Sequence, residues 1–180
     1  MRLDDVVGKF MPMLDDARWA EGALDQDDSQ YTRRAYIRSM FALIEGTIWI
    51  LKQSLLQAIE EIGLTSKFQP GERELLSDTT YELKNNGQIK EQTKFLKLTD
   101  NLKFTYAALG RHTNVKPDLG TGTVAWENFT TAITIRNRIT HPKSPDDLSI
   151  SDSEIEICRE VTHWYNNLNK LTIDQLFGLK

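Results

Sequence analysis

The longest regular stretch of the chain is residues 31–62, which read YTRRAYIRSMFALIEGTIWILKQSLLQAIEEI. Apolar side chains recur in it at helical spacing, which places them on one face of an α-helix. Asp28 and Ser29 precede the stretch and can cap a helix, and only Gly46 interrupts the pattern. The stretch therefore predicts one helix on the order of 45 Å long, the spine of a bundle. Its apolar positions are Ile37, Met40, Phe41, Ile44, Ile48, Leu51, Leu55, Ile59 and Ile62.

The flanking sequence repeats the helical pattern around this spine. A first helix is predicted over residues 6–22, with its start left open by Pro12. Apolar residues predict a further helix over residues 95–110, and another over residues 123–141. Residues 151–154, SDSE, form a capping-box pattern that opens a last helix. The predicted buried stripe of that helix is Ile157, Val161, Trp164, Leu168 and Leu171.

Residues 63–92 break this regularity. They are polar and contain Gln69-Pro70-Gly71 and Asn85-Asn86-Gly87, which are turn-forming combinations. We predict a short helix there, inside a less regular insertion, and no β-strand anywhere in the chain. Because no repeat or second domain boundary is visible, the sequence predicts an all-α bundle in a single domain over residues 1–180.

Composition limits the classes of protein to which this chain can belong. It has 180 residues, 39% hydrophobic and 27% charged, as in an ordinary globular domain. No apolar run reaches membrane-spanning length, and residues 1–5 lack the pattern of a secretion signal, so we expect a cytoplasmic protein with no membrane partner. Cys158 is the only cysteine and lies among apolar residues, which predicts a core thiol.

The net charge of −4 is unevenly distributed along the chain. Residues 1–30 carry three basic and eight acidic side chains, so the remaining residues sum to +1. A surface coated with basic residues for duplex binding is excluded, because such binding relies on many phosphate contacts. A local basic cleft on the helical body is still compatible with this charge.

Residues 136–142, RNRITHP, close a predicted helix and carry the residues with most chemistry. Arg136 offers a planar fork of donors for phosphate oxygens, and His141 can exchange a proton near neutral pH. Asn137 can orient either group without adding charge. Pro142 removes a backbone donor and disfavours helical angles at His141, so the helix should end there. Together these groups can act on a phosphodiester.

The apolar pattern of this helix predicts that most of it is buried. Two apolar stripes lie side by side, and Arg136 projects between them. A buried guanidinium is costly unless it is paired or hydrogen-bonded, so Arg136 needs a partner. On a regular helix the directions of Arg136 and His141 differ by about 140°, so the turn at Pro142 or a second subunit must bring them together.

Four more side chains are candidates for substrate binding. Arg38 and Glu45 lie along one side of the spine helix, and Glu45 can pair with Arg38 or with Arg136. Arg138 lies within the motif and Lys143 directly follows it, where both can reach a phosphate backbone. A solvated salt-bridge edge explains Arg38 and Glu45 equally well.

Other catalytic signatures are missing from the sequence. Gly120-Thr121-Gly122-Thr123 lacks the Lys-Ser/Thr ending of a phosphate-binding loop, and three histidines with one cysteine make a poor set of transition-metal ligands. Adjacent aspartates suit caps and solvated loops better than a metal site. We therefore expect no bound metal and no cofactor.

The Arg136-Asn137-x-x-x-His141 spacing, on a helix that follows a long helical spine, resembles the HEPN superfamily with its Arg-x-x-x-x-His ribonuclease motif. Residues 31–46 and 136–142 are similar to bacterial members, and the likeness covers most of the helical body. It implies a HEPN-like helical bundle that forms a homodimer, with both motif helices around one cleft. Residues 63–92 look like a divergent insertion.

The resemblance also implies a function. Enzymes of this kind are metal-independent endoribonucleases, several of them toxins or defence effectors, which suggests cleavage of single-stranded RNA by attack of the ribose 2′-hydroxyl. His141 would be the general base or acid, Arg136 would bind the phosphate, and Asn137 would orient one of them. Any antitoxin partner would be a separate protein acting in trans.

Two alternatives stay open. Other HEPN members keep the fold as non-catalytic modules that bind a nucleotide, RNA or a protein partner through the same cleft. In the second alternative the motif only ends a helix, because cations in a last turn favour the helix dipole and proline stops helices. Substitution of Arg136 and His141, with cleavage and binding measured separately, distinguishes the three.

Overall fold

Helices dominate the fold in a computed structural model that describes residues 3–178, apart from the side chains of Leu3 and Ser66. The described elements are α1 (Leu3–Gln26), α2 (Gln30–Glu61), α3 (Glu72–Leu76), β1 (Thr79–Leu83), β2 (Ile89–Thr93), α4 (Leu98–His112), α5 (Val124–Thr140) and α6 (Asp152–Phe177), with short 3-10 turns at Thr65–Lys67 and Pro145–Leu148. The chain is mostly helical, as the sequence predicted. Of the helices described, none combines the length and apolar composition required to cross a membrane.

The spine helix is confirmed as α2, which packs against each of the other five helices. Ser29 caps it: its hydroxyl accepts from the Thr32 N–H, and the Thr32 side chain accepts from the Ser29 N–H. The predicted apolar positions from Ile37 to Ile59 are all buried. Ile62 is 66% exposed instead, because α2 ends at Glu61 and the chain turns away.

α1 lies along α2 and extends beyond both predicted ends, with Pro12 inside it. Packing on α2 outweighs the one hydrogen bond that Pro12 cannot donate. Gly46 of α2 faces this contact, where a Cβ would overlap the thioether of Met13. Gly46 is therefore accommodated in the middle of α2 because α1 fills the space that a side chain would take. Buried residues of α1 are Val6, Ala17, Ala20 and Leu24.

The helices predicted after the spine are present, with shifts at their ends and faces. α4 begins at Leu98, so Phe95 lies outside it and is 89% exposed. α6 opens with the predicted capping box: the Ser151 hydroxyl accepts from the Glu154 N–H, and the Glu154 carboxylate accepts from the Ser151 N–H. The buried residues of α6 include Ile155, Cys158, Val161, Tyr165 and Leu168, whereas Ile157 and Trp164 are half-buried and Leu171 is exposed.

Cys158 is the predicted core thiol. Its side chain is fully buried in α6, and burial raises the pKa of the thiol to about 12. The thiol therefore stays protonated at neutral pH and behaves as a small apolar side chain.

The prediction that the chain has no strand is wrong. β1 and β2 form an antiparallel hairpin in which Thr79 lies opposite Thr93 and Leu83 opposite Ile89. Gly87 takes a φ of 80° in the connecting turn, a conformation that glycine adopts at little cost. The Asn86-Gly87 pair marks this turn, but the strands are mostly exposed, so no alternating buried face identified them in the sequence.

A buried ion pair anchors the hairpin to α2. Lys52 is fully buried, and its ammonium group donates to the Asp78 carboxylate and, over 3.1 Å, to the Asn101 side-chain oxygen of α4. Asp78 directly precedes β1, and its carbonyl accepts from the Lys94 N–H at 2.7 Å, just after β2. Both ends of the hairpin therefore depend on one buried lysine.

We expect Asp78→Asn to lower the free energy of unfolding by about 2 kcal/mol, because it leaves the Lys52 charge buried without a counter-charge. Asparagine tolerates the positive φ of 54° at this position, so the change tests the charge and not the backbone. Asp146→Asn, in an exposed loop, is the matched control and should shift stability by less than about 0.5 kcal/mol. Equal denaturant midpoints for the two variants would contradict this assignment.

Candidate functional site

The motif occupies the C-terminal end of α5. The helix begins after Thr123, as predicted, and ends at Thr140. His141 is the first non-helical residue, with φ −126° and ψ 60°, and its backbone N–H still donates to the Asn137 carbonyl at 3.0 Å. The following Pro142 accounts for this end, because it disfavours helical angles in the residue before it.

α5 is less buried than its apolar pattern predicted. Its fully buried residues are Phe129, Ala132, Ile135 and Ile139, a single row at helical spacing. Val124 is 69% exposed, and Trp126 and Ile133 are only partly buried. One face of the motif helix is therefore open to ligands along its whole length.

Arg136 projects towards α2. Its Nη2 donates to the Glu45 carboxylate, one of the partners the sequence allowed, and its guanidinium carbon lies 5.1 Å from the centre of the Phe41 ring. The side chain is 23% exposed. Its Nε is buried, and within the described residues this donor has no hydrogen-bond partner. An orphan donor beside a partly exposed guanidinium leaves capacity for a further acceptor.

Arg136 and Glu45 open into a cavity of about 540 Å³ between α2, the base of the hairpin and the start of α4. Its volume falls within the range of roughly 300–1,000 Å³ that small-molecule sites occupy. The other lining residues are Trp49, Asp78, Thr93, Lys94, Phe95, Leu96, Leu98 and Asn101. Hairpin residues missed as functional candidates thus lie beside the motif arginine, because Asp78 and Lys94 hold that segment against α2.

Asn137 and His141 do not share this cavity. Both are exposed, and no side-chain hydrogen bond in the described chain links them to each other or to Arg136. The motif is therefore divided within one subunit, with the guanidinium against α2 and the imidazole in solvent. Arg136 and His141 therefore remain apart, as the regular-helix geometry predicted for a single subunit.

Three arginines of α2 hold the chain that follows the motif. Arg38 donates to the Ile139 carbonyl at 3.1 Å, in the last turn of α5, where carbonyls lack helical partners. Arg34 donates to the Leu148 carbonyl at 2.9 Å, and Arg33 to the Ile150 carbonyl at 2.8 Å. Arg38 therefore helps to position the end of the motif helix, while its side chain stays exposed.

The two remaining candidates also differ from each other. Arg138 pairs with Glu154 of α6 at 2.8 Å, so it joins the motif helix to the last helix. Lys143 is exposed, and its backbone N–H donates to the Asp147 carboxylate at 2.7 Å. That bond and a second from the Ser144 N–H hold the pKa of Asp147 below its usual range. Of this pair only Lys143 keeps its cationic side chain exposed beside His141.

No protein-family model, curated protein or solved structure matches this chain. Within the described residues, no group of three or more His, Cys, Asp or Glu side chains is arranged to hold a metal ion.

We expect Arg136→Met to leave the free energy of unfolding within about 0.5 kcal/mol of the parent. Methionine keeps the packing of the stem on Phe41 and removes the orphan donor, while the exposed pair with Glu45 contributes little. Arg33→Met, which removes the donor to the Ile150 carbonyl and the ion pairs with Asp28 and Asp152, should cost about 2 kcal/mol. Urea unfolding of both variants checks the contrast, and a larger loss for Arg136→Met would mark Arg136 as a structural residue.

Proposed function

We propose that this protein is a metal-independent endoribonuclease of the HEPN type, which cleaves single-stranded RNA. The observation that carries the proposal is the Arg136 side chain, a guanidinium with an unpartnered donor at the edge of a cavity, five residues before an exposed histidine. Most buried donors in folded proteins have a partner, so an unpartnered donor beside a cavity is consistent with a role in ligand binding. A toxin or defence role, with an antitoxin in trans, would follow from such an activity.

In the proposed reaction the ribose 2′-oxygen attacks the neighbouring phosphorus and the 5′-oxygen leaves. One imidazole takes the proton of the 2′-hydroxyl, and a second group gives a proton to the leaving oxygen. Arg136 binds the phosphate and stabilises the charge that develops on its oxygens. The products are a 2′,3′-cyclic phosphate and a 5′-hydroxyl, with no metal or cofactor required for the balance of atoms or protons.

Glu45 and the phosphate would compete for Arg136. Its carboxylate already accepts from Arg136 Nη2, and Nε lies on the same edge of the guanidinium. Glu45 accepts only from Nη2 and leaves Nε unsatisfied, whereas a phosphate that displaced Glu45 could accept from both donors of this edge. Binding would therefore exchange an exposed ion pair, which is weak, for a bidentate contact.

A homodimer completes the proposed site. His141 lies in solvent at the end of α5, away from the Arg136 cavity of its own subunit. One imidazole cannot easily serve both proton transfers, so a partner subunit would supply the second imidazole. The partner's motif would also bring a histidine close to the Arg136 cavity. Asn137, also exposed, would orient an imidazole or the phosphate across this interface, and Lys143 would contact the RNA backbone.

The same observations support a non-catalytic module as the second candidate, because Arg136 and His141 do not meet within one subunit. In that case the Arg136 cavity would bind a nucleotide or RNA without turnover. Arg136→Lys, which keeps the charge but loses the planar fork, would abolish that binding. A parent protein that binds RNA and never cleaves it would favour this candidate.

We expect the purified protein to cleave a single-stranded RNA in the presence of a chelator and to leave a DNA of the same sequence intact. His141→Ala should lower the cleavage rate by about 10²- to 10⁴-fold, as is typical for loss of a general acid or base. His163→Ala, which removes an exposed histidine of α6, is the matched control and should cleave like the parent. Undiminished cleavage by His141→Ala would refute the mechanism.

A further inference from the structure

Two exposed aromatic side chains line the Arg136 cavity and have no structural explanation in the fold. Phe95 is 89% exposed in the segment between β2 and α4, and Trp49 is 50% exposed on α2. Large apolar groups at this exposure lose the benefit of burial, so their presence together at one cavity points to a ligand with an aromatic face.

The backbone that carries each aromatic side chain belongs to, or is anchored to, a regular element. Trp49 follows Glu45 by four residues on α2, so both lie on one helix face. Phe95 follows Lys94, whose backbone N–H donates to the Asp78 carbonyl at 2.7 Å, and Asp78 is paired with the buried Lys52. The cavity therefore has aromatic walls from two elements that the buried ion pair joins.

The charged groups of the cavity fit a nucleotide whose phosphate lies at Arg136. Arg136 and Lys94 are its two cationic lining residues, and Thr93 adds a neutral hydroxyl. Two carboxylates also line the cavity, but Glu45 is paired with Arg136 and Asp78 with the buried Lys52. The volume of the cavity also fits, because about 540 Å³ has room for one nucleotide but not for a stacked duplex.

We propose that this cavity takes one unpaired nucleobase of the RNA, stacked against Phe95 and Trp49, next to the phosphate that Arg136 binds. The inference rests on the proposed function, since it takes RNA as the ligand. Stacking on aromatic side chains recognises bases only after they leave the helical stack, because every base then exposes a π-face. The cavity would thus select single strands over duplexes, with little preference among bases.

The test measures equilibrium binding of a single-stranded oligouridylate to the His141→Ala protein, which keeps the cavity and should cleave the RNA too slowly to affect the measurement. Phe95→Ala and Trp49→Ala, each in this background, should weaken binding roughly five- to 150-fold, the range expected for one stacked base. Phe95→Tyr should restore binding, because it keeps the aromatic face. Trp19→Ala is the matched control, since Trp19 is 79% exposed on α1 and does not line the cavity.

A second ligand separates stacking from electrostatics. The same oligonucleotide with one abasic residue keeps every phosphate, and its affinity for the His141→Ala protein should be lower than that of the intact oligonucleotide. The two affinities should become equal once Phe95 and Trp49 are both alanine. If the oligouridylate binds and both aromatic variants bind it equally well, the base site is refuted and the nuclease proposal stands. If the protein neither binds nor cleaves RNA, both proposals are refuted.

Discussion

Unpaired carbonyl groups at the end of a helix need donors, and arginines of α2 supply them for the chain around the motif. Arg38 reaches the last turn of α5, while Arg34 and Arg33 hold the loop that follows. α2 is therefore both the centre of the hydrophobic core and the element that holds the end of α5, where Pro142 stops the helix. The motif lies at this edge of the bundle, and there the Nε of Arg136 is buried without a hydrogen-bond partner among the described residues.

The basic side chains near the motif divide into two kinds by the partners they have. Arg33 and Arg138 are engaged in carbonyl bonds or salt bridges that join one helix to another. Arg136 instead stacks on Phe41 and shares one donor with an exposed carboxylate. The exposed pair contributes little to stability, and the unsatisfied donor is unfavourable unless a ligand supplies an acceptor. The bonding partners of each arginine, more than its place in the sequence motif, distinguish Arg136 as the candidate functional arginine.

The sequence predicted the elements that bury a regular stripe and missed those that do not. The sequence predicted α2 because its buried residues recur at helical spacing. It predicted the start of α6 because a capping box places Ser and Glu at a fixed spacing. It did not predict the hairpin, because its strands are mostly exposed and Lys52, its buried anchor, reads as a polar residue in a helix. The Arg136–Glu45 pair was one of two pairings that the sequence allowed for Glu45. The cavity beside it depends on how residues 78–95 return to α2, and no local sequence pattern predicts that return.

Two motifs acting on one phosphodiester would make activity a property of the dimer, and mixed dimers test this directly. Parent and His141→Ala subunits, refolded together at a series of ratios, would be assayed for RNA cleavage at constant total protein. If both imidazoles are needed, activity follows the square of the parent fraction, so an equal mixture retains about a quarter of the parent rate. A linear fall, with about half the rate retained, would show that each subunit acts alone and would contradict the shared site.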